Sequence, residues 1–260
     1  MKSLSQHISE SFKFRINRDS AKNAHNYSPK TKEELKQIIQ DHYDNKVYNL
    51  NDIDVSQITD FNKLFSEDKN TGNPEFDISK WNVSNGKTFK EMFMSCYNFN
   101  SDLFNWDVSR GEDFGGMFYG CDNFNSDLSN WNVNKCKYFR WMFAGCRKFN
   151  SDLSRWDVSK GQLFSNMFDE CNNFNCDLSK WNVSNGKSFS YMFYDCFIFN
   201  SNLSNWDVSN GKDFRGMFRM CYKFNSDLSQ WDVSSGEDFI SMFDDCPIKS
   251  EFKPKHEKIK

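Results

Sequence analysis

The chain has 260 residues, with 33 Lys and Arg against 36 Asp and Glu and a net charge of −3, a balance that offers nucleic acid no basic surface to bind. Hydrophobic residues make up 38% of it and aromatics 17%, with 28 Phe and 8 Trp, so the apolar material sits in few, large side chains, which a wholly disordered chain would lack. No stretch is apolar enough for a membrane span, and the opening MKSLSQHISESFKF has no apolar leader core, so neither membrane insertion nor secretion is expected.

Residues 1–28 are polar, with Phe12, Phe14 and Ile16 alternating as in one edge strand; disorder is an equal reading of the same segment. Residues 29–80 read as an N-terminal cap. Thr31 as N-cap and Glu34 three residues on make a capping box, and Leu35, Ile38, Ile39 and Tyr43 share one face. The spacing predicts an amphipathic helix over about 32–43, acting as a lid. A degenerate unit follows, in which Ile53-Asp54-Val55-Ser56 precedes Phe61 and Phe65, with the Gly- and Pro-containing loop SEDKNTGNPEF after it.

From residue 81 to 246 one phrase recurs seven times without insertion. Trp81, Trp106, Trp131, Trp156, Trp181, Trp206 and Trp231 are each 25 residues apart. Cys96, Cys121, Cys146, Cys171, Cys196, Cys221 and Cys246 form a second column, and Asn100, Asn125, Asn150, Asn175, Asn200 and Asn225 a third. A fixed period of this length predicts stacked units whose equivalent residues form structural ladders. Within a unit, Leu103, Trp106 and Val108 read as a short parallel strand, and Phe114, Met117, Phe118 and Cys121 fall at i, i+3, i+4 and i+7, one face of a two-turn helix. Gly111, at the corner between them, is read as a positive-φ residue. The expected fold class is therefore α/β, a solenoid with one short parallel strand and one short helix per coil. A lone unit buries too little to fold, so folding belongs to the array. Residues 247–260 form a Lys-rich C-terminal tail, expected to be frayed and solvated.

The combination M-F-x-x-C-x-x-F-N-x-D-L-x-x-W-D-V-S resembles the BspA-type leucine-rich repeat in a Phe-rich variant, and PKTKEELKQII with LNDIDVSQITDFNKLF is similar to the segment that often precedes such repeats. The resemblance implies a leucine-rich-repeat-like solenoid used for adhesion or protein binding, with no catalytic activity, at a cell surface. The absence of a leader and the reduced-thiol reading below point instead to the cytoplasm.

Nine Cys with no C-x-x-C, and four His all outside the repeats, favour packed thiols over disulfides or zinc. The Asn column reads as inward amides that satisfy turn backbone. Asp102, Asp127, Asp152, Asp177 and Asp227, with Asn202, read as local backbone caps, a shared calcium being the alternative. The repeated Ser after Val has no unique base beside it and no G-x-S-x-G elbow, so no catalytic residue, metal ligand or cofactor is expected. What varies from unit to unit is Tyr97, Tyr119, Trp141, Tyr191, Tyr194, Phe197, Arg219 and Tyr222. Aromatic and Arg side chains are the usual interface anchors, so these are the candidate contacts for a protein or surface glycan. Seam covering is the competing reading, and a repeat protein with a purely structural role and no dedicated ligand is the alternative function.

Overall fold

The computed structural model describes residues 25–66 and 75–259. The alternation of Phe12, Phe14 and Ile16, and most of the loop after Phe65, lie outside them. Among the described residues the one α-helix is α1, Lys32–Asp44, and there is no β-strand; pairing between segments is limited to isolated parallel bridges. This overturns the α/β leucine-rich-repeat-like solenoid with a strand and a helix in every coil. The BspA-type resemblance fails as a guide to the fold for the same reason.

The physical cause is where the amides go. Met117, Tyr119 and Cys121 donate to the carbonyls three residues back, Phe114, Gly116 and Phe118, at 3.0, 3.1 and 3.0 Å. The intervening amides of Phe114, Gly116, Phe118 and Gly120 leave the unit, donating to Tyr138, Arg140, Met142 and Ala144 at 3.1, 2.8, 2.9 and 2.7 Å. An α-helix needs every amide to reach the carbonyl four residues back; here none does. Gly116 and Gly120 also have φ of +61° and +69°, which breaks a right-handed helix. Successive β-turns put Phe114, Met117, Phe118 and Cys121 on the core side as a helix would, so their spacing alone does not separate the two. The expected strand fails similarly. Trp106 donates to Leu103 and Gly111 to Val108 at 3.1 and 2.8 Å, so two turns bend the segment before it can pair, and the bridges form instead at Asp113, Tyr138 and Leu163.

The result is a pile of turn-built layers joined through side chains as much as through backbone. The indole of Trp131 donates to the Leu103 carbonyl at 2.9 Å, and Ser126 Oγ, buried, accepts from the Leu103 amide at 2.9 Å. Trp106 and Trp131 stack at 6.4 Å with planes 1° apart, and Phe93 and Phe118 stack at 5.4 Å. The thiol column is free, as all nine Cys are. Cys121, Cys146, Cys171 and Cys196 each donate through Sγ to a Phe carbonyl of the preceding layer at 3.0 Å. Burial pushes their thiols well up, so they serve as small apolar side chains with one weak donor.

Two local readings need correcting. Gly111 has no positive φ; a Cβ there would meet Phe114 Cζ at 2.4 Å, so glycine lets the ring approach closely, although the same column accepts Cys136 one layer on. The Asn side chains lie at the surface, and Asn100 Oδ1 accepts the Asn125 amide at 2.8 Å, as Asn125 Oδ1 does for Asn150. They are an outward ladder.

Both ends are covered. At one, α1 carries the capping box between Thr31 and Glu34 and buries Leu35, Ile38, Ile39 and Tyr43. At the other, the tail is not frayed: Ile248 and Pro254 are buried, and Leu228 donates to the Phe252 carbonyl at 2.8 Å. That carbonyl occupies the role Ser226 Oγ plays for Leu203 one layer earlier. Lys249 likewise donates to Asn225 Oδ1 at 3.1 Å, completing the Asn ladder without an Asn.

Candidate functional site: a ridge of turns

Each layer from the first Trp onward places two residues in the left-handed region. One column holds Glu91, Gly116, Trp141, Asn166, Tyr191, Gly216 and Ser241; the other holds Ser95, Gly120, Gly145, Glu170, Asp195, Met220 and Asp245. These positions crown the turns and form a ridge along the molecule. Trp141, at φ +55°, is the exception among the tryptophans, 45% exposed where the seven ladder indoles are 2–5% exposed. A bulky side chain in this conformation costs about 1–2 kcal/mol.

The eight sequence candidates separate into three groups. Tyr119 and Trp141 line one groove with Met94 and Arg140, of about 850 Å³, and Tyr97 and Tyr119 line an adjoining recess of about 290 Å³. Phe197 and Tyr222, also exposed, pair at 5.5 Å in later layers. Tyr191, Tyr194 and Arg219 are half-buried: the two rings meet edge to face at 5.8 Å and the guanidinium lies 5.7 Å from the Tyr194 ring. The structure thus assembles Tyr97, Tyr119 and Trp141 and sets the other two groups apart from them.

Sequence reasoning missed Arg140, the glycines and the carboxylates here. Arg140 sits where Arg215 sits three layers on, but Arg215 pairs with Asp238 at 2.9 Å, and the position matching Asp238 for Arg140 is Leu163. Gly115, Gly116, Gly120 and Gly145 clear the floor. Their clustering within two units was the available signal. Arg147 bridges Asp122 at 2.9 Å and Glu170 at 2.6 Å. Asp169 accepts from Asn166 Nδ2 at 2.8 Å, but its Oδ1 is buried with no partner. Burial, with Glu170 and Asp195 adding repulsion, pushes its carboxyl up to about 6.

The opposite, polar face behaves otherwise. Asp107, Asp152 and Asp177 each accept the amide two residues on at 2.9–3.0 Å, and hydrogen bonds from Ser109, Ser154 and Ser179 hold their carboxyls below the ordinary range. The calcium-dependent alternative is not supported by this geometry: those oxygens face their own backbone, and among the described residues no group of three His, Cys, Asp or Glu is placed to hold a metal ion.

Two overlapping segments, residues 33–156 and 138–255, match the family described as Mycoplasma protein of unknown function, DUF285. The chain belongs to this family. No curated protein and no solved structure matches it. The DUF285 match takes in nearly all of α1, every layer of the pile and the tail past Phe252, so both end covers fall inside the family's span. Adhesion or binding through a rigid leucine-rich-repeat face, the role inferred from the expected fold, loses its basis here, because the repeated layers of this DUF285 chain contain neither a strand nor a helix. The ridge of turns is where the variable aromatic side chains stand.

Proposed function

We propose that this chain is a non-catalytic protein-binding module whose contact surface is the turn ridge around Tyr97, Tyr119 and Trp141. One observation carries the reading. Trp141 is held in a strained left-handed conformation and left 45% exposed, whereas an indole with only a packing role would be buried like the other seven. Rigid aromatic side chains beside an Arg supply large contact area at small entropic cost.

The test is capture of partners by crosslinking from the native host with the full chain, comparing wild type with Trp141→Asn and Tyr119→Ala. Asn is already accepted at this φ in Asn166, so Trp141→Asn should melt within about 1 kcal/mol of wild type, strain relief offsetting lost ring contacts. Capture should fall about tenfold or more with Trp141→Asn. Equal capture by both variants, or saturable binding of a glycan in place of protein, would remove the proposal.

A further inference from the structure

Arg215 shows what this fold does with an arginine at the edge of the ridge. Asp238 of the following layer accepts from its Nε at 2.9 Å, and Tyr191 of the preceding layer stands beside its guanidinium. The Tyr191 ring also reaches across to Gly216, where a Cβ would meet Cε1 at 2.5 Å. Carboxylate, guanidinium and ring thus close on one another within three layers.

Arg140 occupies the same place three layers earlier and has neither neighbour. Leu163 stands where Arg215 has Asp238, and Gly116 stands where Arg215 has Tyr191. The groove opens at this place, floored by Gly115 and Gly116 and walled by Met94, Tyr119 and Trp141. The other charged groups around it are answered. Glu91 is bridged by Lys63 and Lys90 at 3.2 and 3.3 Å, and Asp113 gives Oδ1 to the Gly115 amide at 2.8 Å. Arg140 has the Tyr138 ring 5.7 Å from its guanidinium, and among the described residues no acceptor takes its side-chain N–H groups. Lys63, Lys90 and Arg140 against Glu91 and Asp113 leave one positive charge in excess.

We infer that this groove receives an acidic, aromatic segment of a partner protein, a carboxylate settling on Arg140 and a ring lying over Gly115 and Gly116 between Tyr119 and Trp141. The occupant supplies from outside what Asp238 and Tyr191 supply to Arg215 from within. A guanidinium and a carboxylate form the shorter, stronger class of hydrogen bond, and aromatic rings gain by pairing offset or edge to face. The recess beside Tyr97, lined by Asp122, Asp169 and Glu170, repels such a segment and confines it to the Arg140 side of Tyr119. The inference rests on the ridge being the binding surface, and it adds the chemistry of the occupant.

Three labelled dodecapeptides serve as probes with the full-length chain, alternating Glu and Tyr, Lys and Tyr, or Glu and Ser, each read by fluorescence anisotropy. The Glu-Tyr peptide should bind at least about tenfold more tightly than either of the others. Arg140→Gln should weaken it about tenfold, whereas Arg215→Gln, the same change of charge outside the groove, should bind as wild type. Two variants fill the groove from within by copying the later layers. Leu163→Asp should weaken the peptide about fivefold or more by pairing with Arg140, and Gly116→Tyr should abolish binding. Both place a residue that the same column already holds, at Asp238 and at Tyr191, and thermal melting checks that the layers stay folded. Failure of the Glu-Tyr peptide to bind, equal binding of the Glu-Tyr and Lys-Tyr peptides, or insensitivity to Arg140→Gln and Leu163→Asp overturns the inference. If capture from the host falls with Trp141→Asn while the Glu-Tyr peptide ignores Arg140→Gln, the ridge stands as a contact surface and the acidic, aromatic occupant does not.

Discussion

Two acidic regions of this molecule use the same side chain for opposite ends. On the polar face, Asp152 is spent locally: its carboxylate accepts the Ser154 amide at 2.9 Å and its carboxyl is held low. On the turn ridge, Asp169 has Asn166 on one oxygen and nothing on the other, and its carboxyl is raised to about 6. The lesson is that position in the layer, rather than residue type, decides whether a carboxylate closes its own turn or is buried with an oxygen left unsatisfied. Regularity marks the first kind, because every layer needs the same turn closed, and variability marks the second.

The largest expected effect lies beneath both regions and sets the scale for the comparison. Trp156→Ala removes a buried indole that stacks on Trp131 and donates to the Leu128 carbonyl at 3.0 Å, and should cost about 3–5 kcal/mol in denaturant unfolding, lowering both regions together. A layer that unfolded alone, with the ridge intact, would show the two to be independent.

Next comes pH. A raised carboxyl favours the protonated fold, so the stabilisation linked to Asp169 is complete below about 4, is lost as pH climbs through about 6, and is absent above that. The held-down carboxyls of the polar face act with the other sign: they stabilise above about 4 and are lost on acidification below it. Melting temperature should therefore rise from acid to a maximum near pH 4–5 and decline toward 7. Asp169→Asn should flatten the decline and add up to about 3 kcal/mol at pH 7. A profile unchanged by that substitution would dissolve the contrast between the regions.

The smallest effect sharpens the polar side. Asp152→Ala removes one Asx acceptor and should cost about 1 kcal/mol by thermal unfolding, while Asp152→Asn, which keeps the acceptor oxygen, should cost almost nothing. If the two variants melted alike, the turn bond would not be what that carboxylate provides.

How much of this was legible in the sequence follows from which physical signals are unique. The helix at Lys32–Asp44 was, because a capping box and a 3.6-residue stripe coincide at Thr31, Glu34, Leu35 and Ile38. The partnership of equivalent residues was, since a fixed period brings Asn100 to Asn125. The backbone within the layers was not. Phe114, Met117, Phe118 and Cys121 satisfy a helix and a run of turns equally, and nothing in their spacing says that alternate amides go to the next layer. The tail was misread because Phe252 completes the end through its carbonyl, a group every residue possesses and no composition can announce. At the ridge, the aromatic anchors were visible as variation, but their division into an assembled group and two separate ones depended on Gly120 and Gly145 opening space, which side-chain inventories do not register.

The covers at the two ends carry a further consequence. Each interior layer offers its successor the same acceptors, from Asn Oδ1 to the Leu carbonyl that takes the next indole, while α1 and the Phe252 segment meet only the outermost members. Excising a whole unit, such as residues 156–180, would rejoin like to like and leave both termini sealed; removing a number of residues that is not a multiple of 25 would break the ladders at the junction. Gain or loss of whole 25-residue units would thus keep the ladders in register, and each such step adds or removes one rung of the ridge, so that a change in length is at once a change in the surface presented.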